Sequence, residues 1–347
     1  AEWWRGQQRS ARPLRQRFAL PPPHSALRNR EDDLTRETAL LAHLRTLATH
    51  PAARGLADDA ALLGDLVLTH DTIVEGVHYL PADPPESVGW KLAAVNLSDL
   101  AAKGAEPAGA LLSLTVAPAQ AGTSSWEERF LDGLHEACTA FGLPLLGGDT
   151  VVLPAGAPRV LGLSAFGRAT GPVPSRSGGR VGDLLWLIGT LGDAAAGLRQ
   201  LRADFSAQGA LVEAYRRPRP LLAEGRALAP HASAMMDVSD GLLLDARRLA
   251  EASGCGWRID LAAFPLSPAF RQAVGEDRSA RLFAATGGDD YALLGAFPLD
   301  FDPRLTLPKD SGATVALVGE LTRSGVFALA DALGPVPLPE RLGYEHD

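Results

Sequence analysis

At 347 residues, the chain is about twice the usual domain length of roughly 100–200 residues, which predicts two domains with separate cores. Its 46% hydrophobic and 21% charged residues, with 36 Gly and 26 Pro that follow no period, exclude collagen-like and disordered classes. A formal charge of −8 argues against a general nucleic-acid binder, because affinity for phosphate backbones comes from basic surface. No apolar run approaches the roughly 18–20 residues that cross a bilayer, so no membrane span is expected. The only lysines are Lys91, Lys103 and Lys309, and none stands in Gly-x-x-x-x-Gly-Lys-Ser/Thr, which excludes the Walker type of nucleotide site. Cys138 and Cys255 sit in apolar stretches and read as buried thiols. With no secretory leader in view, a reducing cytoplasm is the expected compartment.

Residues 1–30 hold seven arginines against the single acid Glu2, together with Pro21, Pro22 and Pro23, and read as an appended, unstructured basic arm. From Glu31 the pattern becomes regular. Leu40, Leu41, Leu44 and Leu47 have helical spacing, and a strand follows at 66–69. Residues 86–103 read as a helix, 110–116 as a strand, 125–141 as a helix, and 143–146 and 160–167 as strands. Gly, Pro, Ser and Arg thicken between 171 and 182, which places the domain boundary there. Beyond it come a strand at 184–188, helices near 193–203, 208–216 and 219–229, a strand at 234–236 and a helix from about 240 to 252. Strands near 257–261, 291–297, 314–319 and 326–330 complete the pattern. The alternation predicts layered α+β and α/β domains. The strands 110–116 and 160–167 are apolar on both alternating faces, which predicts a homodimer that covers an otherwise sticky surface.

The chemistry gathers in acids at element edges: Asp58 and Asp59 before an apolar run, Asp71 at a strand end, Asp99 on a helix, Asp149 after two glycines, and Asp237 and Asp240 around a strand-to-helix turn. Hard oxygen ligands of this kind suit magnesium, which bridges to phosphate oxygens. Each acid also has a plain structural reading. Asp99 has Lys103 four residues on and reads equally as a surface ion pair; Asp240 or Ser239 reads as a helix cap; Asp149 reads as a turn residue.

The order and wording of the motifs go further. They are Ala57-Asp58-Asp59-Ala60-Ala61-Leu62-Leu63, Thr69-His70-Asp71-Thr72 running on through His78 to Tyr79, and Lys91-Leu92-Ala93-Ala94-Val95-Asn96-Leu97-Ser98-Asp99-Leu100-Ala101-Ala102-Lys103-Gly104-Ala105. Later come Gly147-Gly148-Asp149-Thr150, Arg176-Ser177-Gly178, Asp237-Val238-Ser239-Asp240-Gly241-Leu242 and Gly287-Gly288-Asp289-Asp290-Tyr291. From Glu31 to the C-terminus the sequence resembles the thiamine-monophosphate kinases of the aminoimidazole ribonucleotide synthetase superfamily. That resemblance implies the two-domain fold of the superfamily. The first domain, about 31–168, would bind ATP and metal and form the dimer, and the second, about 169–347, would be an α/β domain.

The resemblance also implies ATP-dependent phosphorylation of thiamine monophosphate by direct transfer, with several magnesium ions. Metal ligands would be Asp59, Thr69, His70 through its backbone carbonyl, Asp71, Asp99, Asp149, Asp237 and Asp240. Asp71, Asp99, Asp149 and Asp240 would carry the catalytic work. Gly148, Asp149, Arg176 and Ser239 would meet the nucleotide, and His78, Asp289 and Arg341 the phosphorylated acceptor. Departures from the family pattern fall at Ala57, at His70, at Asp289 in place of Glu, and at Arg341 in place of an aromatic, with Tyr344 as its substitute. Two other readings stand beside this one: another ATP-using enzyme of the superfamily, akin to aminoimidazole ribonucleotide synthetase or selenophosphate synthetase, and a non-catalytic nucleotide-binding scaffold.

Overall fold

A computed structural model describes residues 36–117 and 125–345. The basic arm at 1–30 lies outside the described residues. The first unit runs α1 (Arg36–Leu47), β1 (Ala61–Leu63), β2 (Leu66–Val74), α2 (Pro85–Ala102), β3 (Glu106–Val116), α3 (Trp126–Phe141), β4 (Leu145–Val152) and β5 (Val160–Arg168). Its sheet has the order β1-β2-β5-β3-β4, antiparallel except for the β3/β4 pair.

Alternation in the strands decides what this sheet presents to each side. Val67, Thr69 and Ile73 of β2 and Leu161, Leu163 and Ala165 of β5 are buried against α2, whereas His70 and Leu111 face outward and are exposed. Every residue of β4 is exposed, with Leu146 at 62% and Val152 at 69%. α3 begins with a reciprocal cap between Ser125 and Glu128 and stops at Gly142, whose φ of 65° suits a residue without Cβ.

The second unit runs β6 (Leu184–Ile188), α4 (Asp193–Ala203), α5 (Ala210–Arg216), α6 (Leu222–Leu228), β7 (Ala234–Val238), α7 (Leu242–Ala252), β8 (Cys255–Asp260), α8 (Pro268–Ala273), α9 (Arg278–Thr286), β9 (Ala292–Phe297), β10 (Val315–Arg323), β11 (Phe327–Asp331) and β12 (Gly334–Val336). The strands form one sheet in the order β12-β11-β8-β10-β6-β9-β7. One face packs Leu185, Met236 and Trp257 against Leu242, Ala246 and Leu249 of α7 and Ala280 and Ala284 of α9. The other packs Trp186, Ile188, Met235 and Leu293 against Leu228 and against Ala101 and Ala102 of α2. With both faces covered, β6, β7 and β9 are buried at every position, which explains their unbroken apolar runs.

α2 therefore lies between the two sheets, and fourteen of its residues are buried. Polar side chains on such a helix have protein on all sides, so each must find an internal partner. Among the described residues no helix is long and apolar enough to cross a membrane.

The structure corrects several sequence expectations. β2 continues through His70, Asp71 and Thr72 to Val74, and β4 carries Gly147 to Thr150 inside a strand where a turn was expected. β7 includes Asp237. The pattern missed α8 and α9, short helices announced by Ser267 and Asp277, whose side chains accept from the Phe270 and Ala280 amides.

Candidate active site

β2, α2, β7 and the turn before β1 bring their acids to one place. Thr69 and Asp71 share the inward face of β2, two residues apart, and meet Asp99 one face of α2 away: the Thr69 hydroxyl donates to Asp99, and the Asp71 amide donates to Asn96 Oδ1 at 3.1 Å. Asp237 comes in from β7 and accepts from the Ser98 hydroxyl at 2.6 Å. One oxygen from each of Asp59, Asp99 and Asp237 lies within 4.8 Å of the others, the spacing of a shared hard cation.

Burial without enough counter-charge shows in the acids themselves. Asp71 is pushed up to about 6 by burial and then by Asp59 and Asp240. Asp237 rises to about 8, again through burial first and Asp59 second. Asp99 is held well above the usual carboxylate range by burial and by Asp71 and Asp237. Metal-free, Asp99 and Asp237 favour the protonated form more than an ordinary carboxylate does, and a divalent cation would relieve that stress.

Lys103 overturns a bland reading. Its ammonium is buried and ion-pairs at 2.5 Å with Asp58 and at 2.5 Å with Asp59, so it is not a surface partner for Asp99. Arg54 also pairs with Asp58 at 2.5 Å. Burial works to raise Asp58, but Lys103 and Arg54 outweigh it and hold the carboxyl below its ordinary value. Arg176, in a short 3-10 turn, ion-pairs with the other Asp59 oxygen. Ala57 has a φ of −115°, so no glycine is required there.

The 237–241 turn has an unexpected organiser. Neither Ser239 nor Asp240 caps α7; instead Asp245, inside the helix, accepts the Ser239 and Asp240 amides at 3.1 and 3.0 Å. Asp245 is pushed up to about 7 by burial and Asp240, and Arg248 pairs with both acids. The sequence reading passed over Asp245, though an acid four residues into an apolar helix was its available signal.

The turn carrying Asp289 is built around Lys91, likewise given no role from sequence. Its ammonium donates to Asp289 Oδ2 at 2.8 Å and to the His78 carbonyl at 3.1 Å, tying together two residues expected to face the acceptor. The Tyr291 hydroxyl donates to the other Asp289 oxygen at 2.9 Å. Asp289 sits at φ 60° and Tyr291 at φ 50°, left-handed conformations that bulky residues rarely adopt and that cluster at functional sites. The Asp289 amide donates to the Ser239 carbonyl at 2.7 Å, which joins the 287–291 turn to the 237–241 turn.

Four expected site residues stand apart. The His70 side chain points to the outer face, where Ser164 at 2.9 Å and Thr72 at 3.2 Å hold it, so only its backbone carbonyl remains for a ligand role. Asp149 is exposed on β4, and the register runs from Asp71 through Leu163 and Leu112 to Gly148, three strand spacings or about 14 Å away. Gly148 itself is explained by packing, because a Cβ there would meet the Leu112 carbonyl oxygen at 2.0 Å. Arg341 is exposed on the C-terminal tail, which reaches the acids through Tyr344, whose amide donates to the Asp240 carbonyl at 2.8 Å.

Residues 57–169 match the family described as AIR synthase related protein, N-terminal domain, and residues 180–330 match its C-terminal domain. The chain belongs to the AIR synthase related family. Within that family it is 39% identical over 307 residues to the thiamine-monophosphate kinase of Caulobacter vibrioides, covering 85% of this chain and 86% of the relative. It is also 39% identical over 308 residues to the thiamine-monophosphate kinase of Escherichia coli K12, covering 84% and 91%. A solved structure described as AaThiL complexed with AMPPCP and TMP superposes with a TM-score of 0.76 at 28% identity, over 89% of this chain and 97% of that one. These likenesses place the chain among the thiamine-monophosphate kinases.

Proposed function

We propose that this chain is the kinase that phosphorylates thiamine monophosphate with ATP, by direct, magnesium-assisted, in-line transfer to the acceptor phosphate. The observation that carries the reading is the buried carboxylate cluster of Asp59, Asp99 and Asp237, sited between two family domains of a chain 39% identical to thiamine-monophosphate kinases. The cluster suits magnesium on its own chemistry: its donors are hard oxygens, and Asp99 and Asp237 are held above the ordinary carboxylate range by burial and by neighbouring acids, a stress that a bound cation relieves. Bound there, magnesium would neutralise the charge of a triphosphate.

Asp59, Asp71, Asp99 and Asp237 are the residues that would hold it, with Asp240 and Thr69 beside them. Arg176 and Ser239 would meet the nucleotide. Lys91 and Tyr291 orient Asp289, and Lys91 also fixes the His78 carbonyl, so the acceptor side has a defined shape before substrate arrives. An acceptor phosphate is already ionised at neutral pH, so the reaction asks for alignment and no strong base.

The active unit is a cytoplasmic homodimer in this reading. Among the described residues no helix covers the outer face of the first sheet, and Leu111, Leu146 and Val152 are exposed on or beside it. A second copy covers that surface. Asp149, too distant from Asp71 within one chain, serves a metal–triphosphate across that interface.

The test is a panel assay with ATP and magnesium, offering thiamine monophosphate, free thiamine and the acceptors of the superfamily's other enzymes, with product identification. Thiamine diphosphate and ADP in equal amounts are expected from thiamine monophosphate, with free thiamine a poor acceptor. Turnover of another acceptor alone assigns the chain to another superfamily activity, and ATP binding without any product assigns it to a scaffold.

A further inference from the structure

Lys103 ends α2 and is 1% exposed. Its ammonium meets Asp58 Oδ1 and Asp59 Oδ2 at 2.5 Å each and donates to the Met235 carbonyl at 3.0 Å. Three N–H donors face three oxygens, so the head group is saturated. The oxygens come from both units: the turn before β1 in the first, and β7 in the second, two residues ahead of Asp237. The carbonyl end of α2 adds partial negative charge at the same place.

The two cations on Asp59 are not equivalent. Arg176 has 22% of its side chain exposed and has solvent to move into; Lys103 has 0% exposed and has none.

We propose that Lys103 is a positioning residue that acts as a resident monovalent cation: its ammonium fills an oxygen-lined site between the units and anchors the Asp59 carboxylate to β7. Asp59 thereby stays within reach of a cation shared with Asp99 and Asp237. A neutral stem of equal length could fill the same space but would take the buried ammonium away, leaving Asp58 to Arg54 alone and Asp59 to the more exposed Arg176. The charge is the function, and the aliphatic stem only delivers it.

The test uses the full chain and two variants, read by melting midpoint and by kinetics; only the kinetic readout rests on the kinase reading. Lys103→Ala removes head and stem and leaves the oxygens facing a hole. Lys103→Met fills the hole without charge. Melting is compared in potassium, ammonium and tetramethylammonium chloride at equal ionic strength, the last ion being too large to enter.

Wild type is expected to melt alike in all three salts. Lys103→Ala should melt lower in tetramethylammonium, regain much of the loss in potassium or ammonium, and recover turnover with it from a deficit of about 100-fold. Its KM for thiamine monophosphate should stay at the wild-type value, because the Asp289 side is untouched. Lys103→Met should not respond to the choice of salt. Indifference of Lys103→Ala to the cation, or wild-type turnover in Lys103→Met, overturns the proposal.

If Lys103→Ala fails to fold in every salt, the double variant Asp58→Asn with Lys103→Met decides, since it removes one buried carboxylate along with the ammonium. Folded protein that still lacks turnover upholds the anchoring of Asp59. Turnover restored to the wild-type level overturns it.

Discussion

Asp71 and Asp149 look alike in the sequence, each an acid followed by a threonine, yet the first sheet treats them differently. Asp71 faces inward on β2, crowded by Asp59 and Asp240 and pushed up to about 6. Asp149 lies on β4, where every residue is exposed, and its side chain accepts only the neighbouring Thr150 amide, at 2.9 Å, among its described hydrogen bonds. A carboxylate next to apolar residues says that an acid is present; its strand's place in the sheet says whether the acid is under electrostatic stress. One end of the sheet gathers its acids within one chain, and the other is an open surface.

The largest effect that probes this contrast is on turnover. Asp71→Asn and Asp99→Asn should each lower kcat/KM by at least about 1,000-fold, because each removes a charge from the group that would screen the triphosphate. Asp149→Asn should be comparably inactive, but for a reason located in the second copy. Mixing unfolded and refolded Asp71→Asn with Asp149→Asn should then restore roughly one quarter of wild-type activity, since half of random dimers are mixed and each mixed dimer keeps one intact site. An active Asp149→Asn variant, or no recovery on mixing, would remove Asp149 from the site.

The same contrast explains what was legible in the sequence. Elements with a clean period were read within a few residues, and the acids Asp59, Asp71, Asp99 and Asp237 do converge. What failed depended on neighbours remote in sequence. Lys103 sits four residues from Asp99, a helical ion-pair spacing, but α2 is enclosed on all sides and its end points at the turn before β1. His70 was grouped with Thr69 and Asp71, though alternation along an unbroken β2 sends it to the opposite face. Lys91 and Asp289 are 198 residues apart, and nothing local signals their contact.

A smaller effect separates the acceptor side from the acid cluster. Lys91→Met leaves Asp289 without its ammonium and frees the His78 carbonyl, while the cluster of Asp59, Asp99 and Asp237 keeps its geometry. Steady-state kinetics should show KM for thiamine monophosphate raised about tenfold, the loss of one charge-assisted hydrogen bond, with the magnesium dependence of kcat unchanged. A shifted magnesium dependence would mean that the two sides of the cleft are not separable.

The smallest expected effect is on the stability of the metal-free protein, and it sets Asp71 against Asp149 most directly. Asp71 and Asp237 have folded values of about 6 and about 8 against an ordinary 3.8, so between those limits the folded state binds more protons than the unfolded one. Their contribution is complete below pH 4 or so and is lost as pH rises through 6 and then 8. With magnesium chelated, the melting midpoint should therefore fall between pH 5 and pH 8.5 once other titrations are matched by difference against the variants. Asp71→Asn should flatten the part of that fall centred near pH 6 and be more stable than wild type at pH 8, by on the order of 2 kcal/mol. Asp149→Asn, exposed and uncrowded, should stay within about 0.5 kcal/mol of wild type across the same range. Parallel pH profiles for the two variants would show that burial on β2 places no more stress on its acid than the open edge of β4 does.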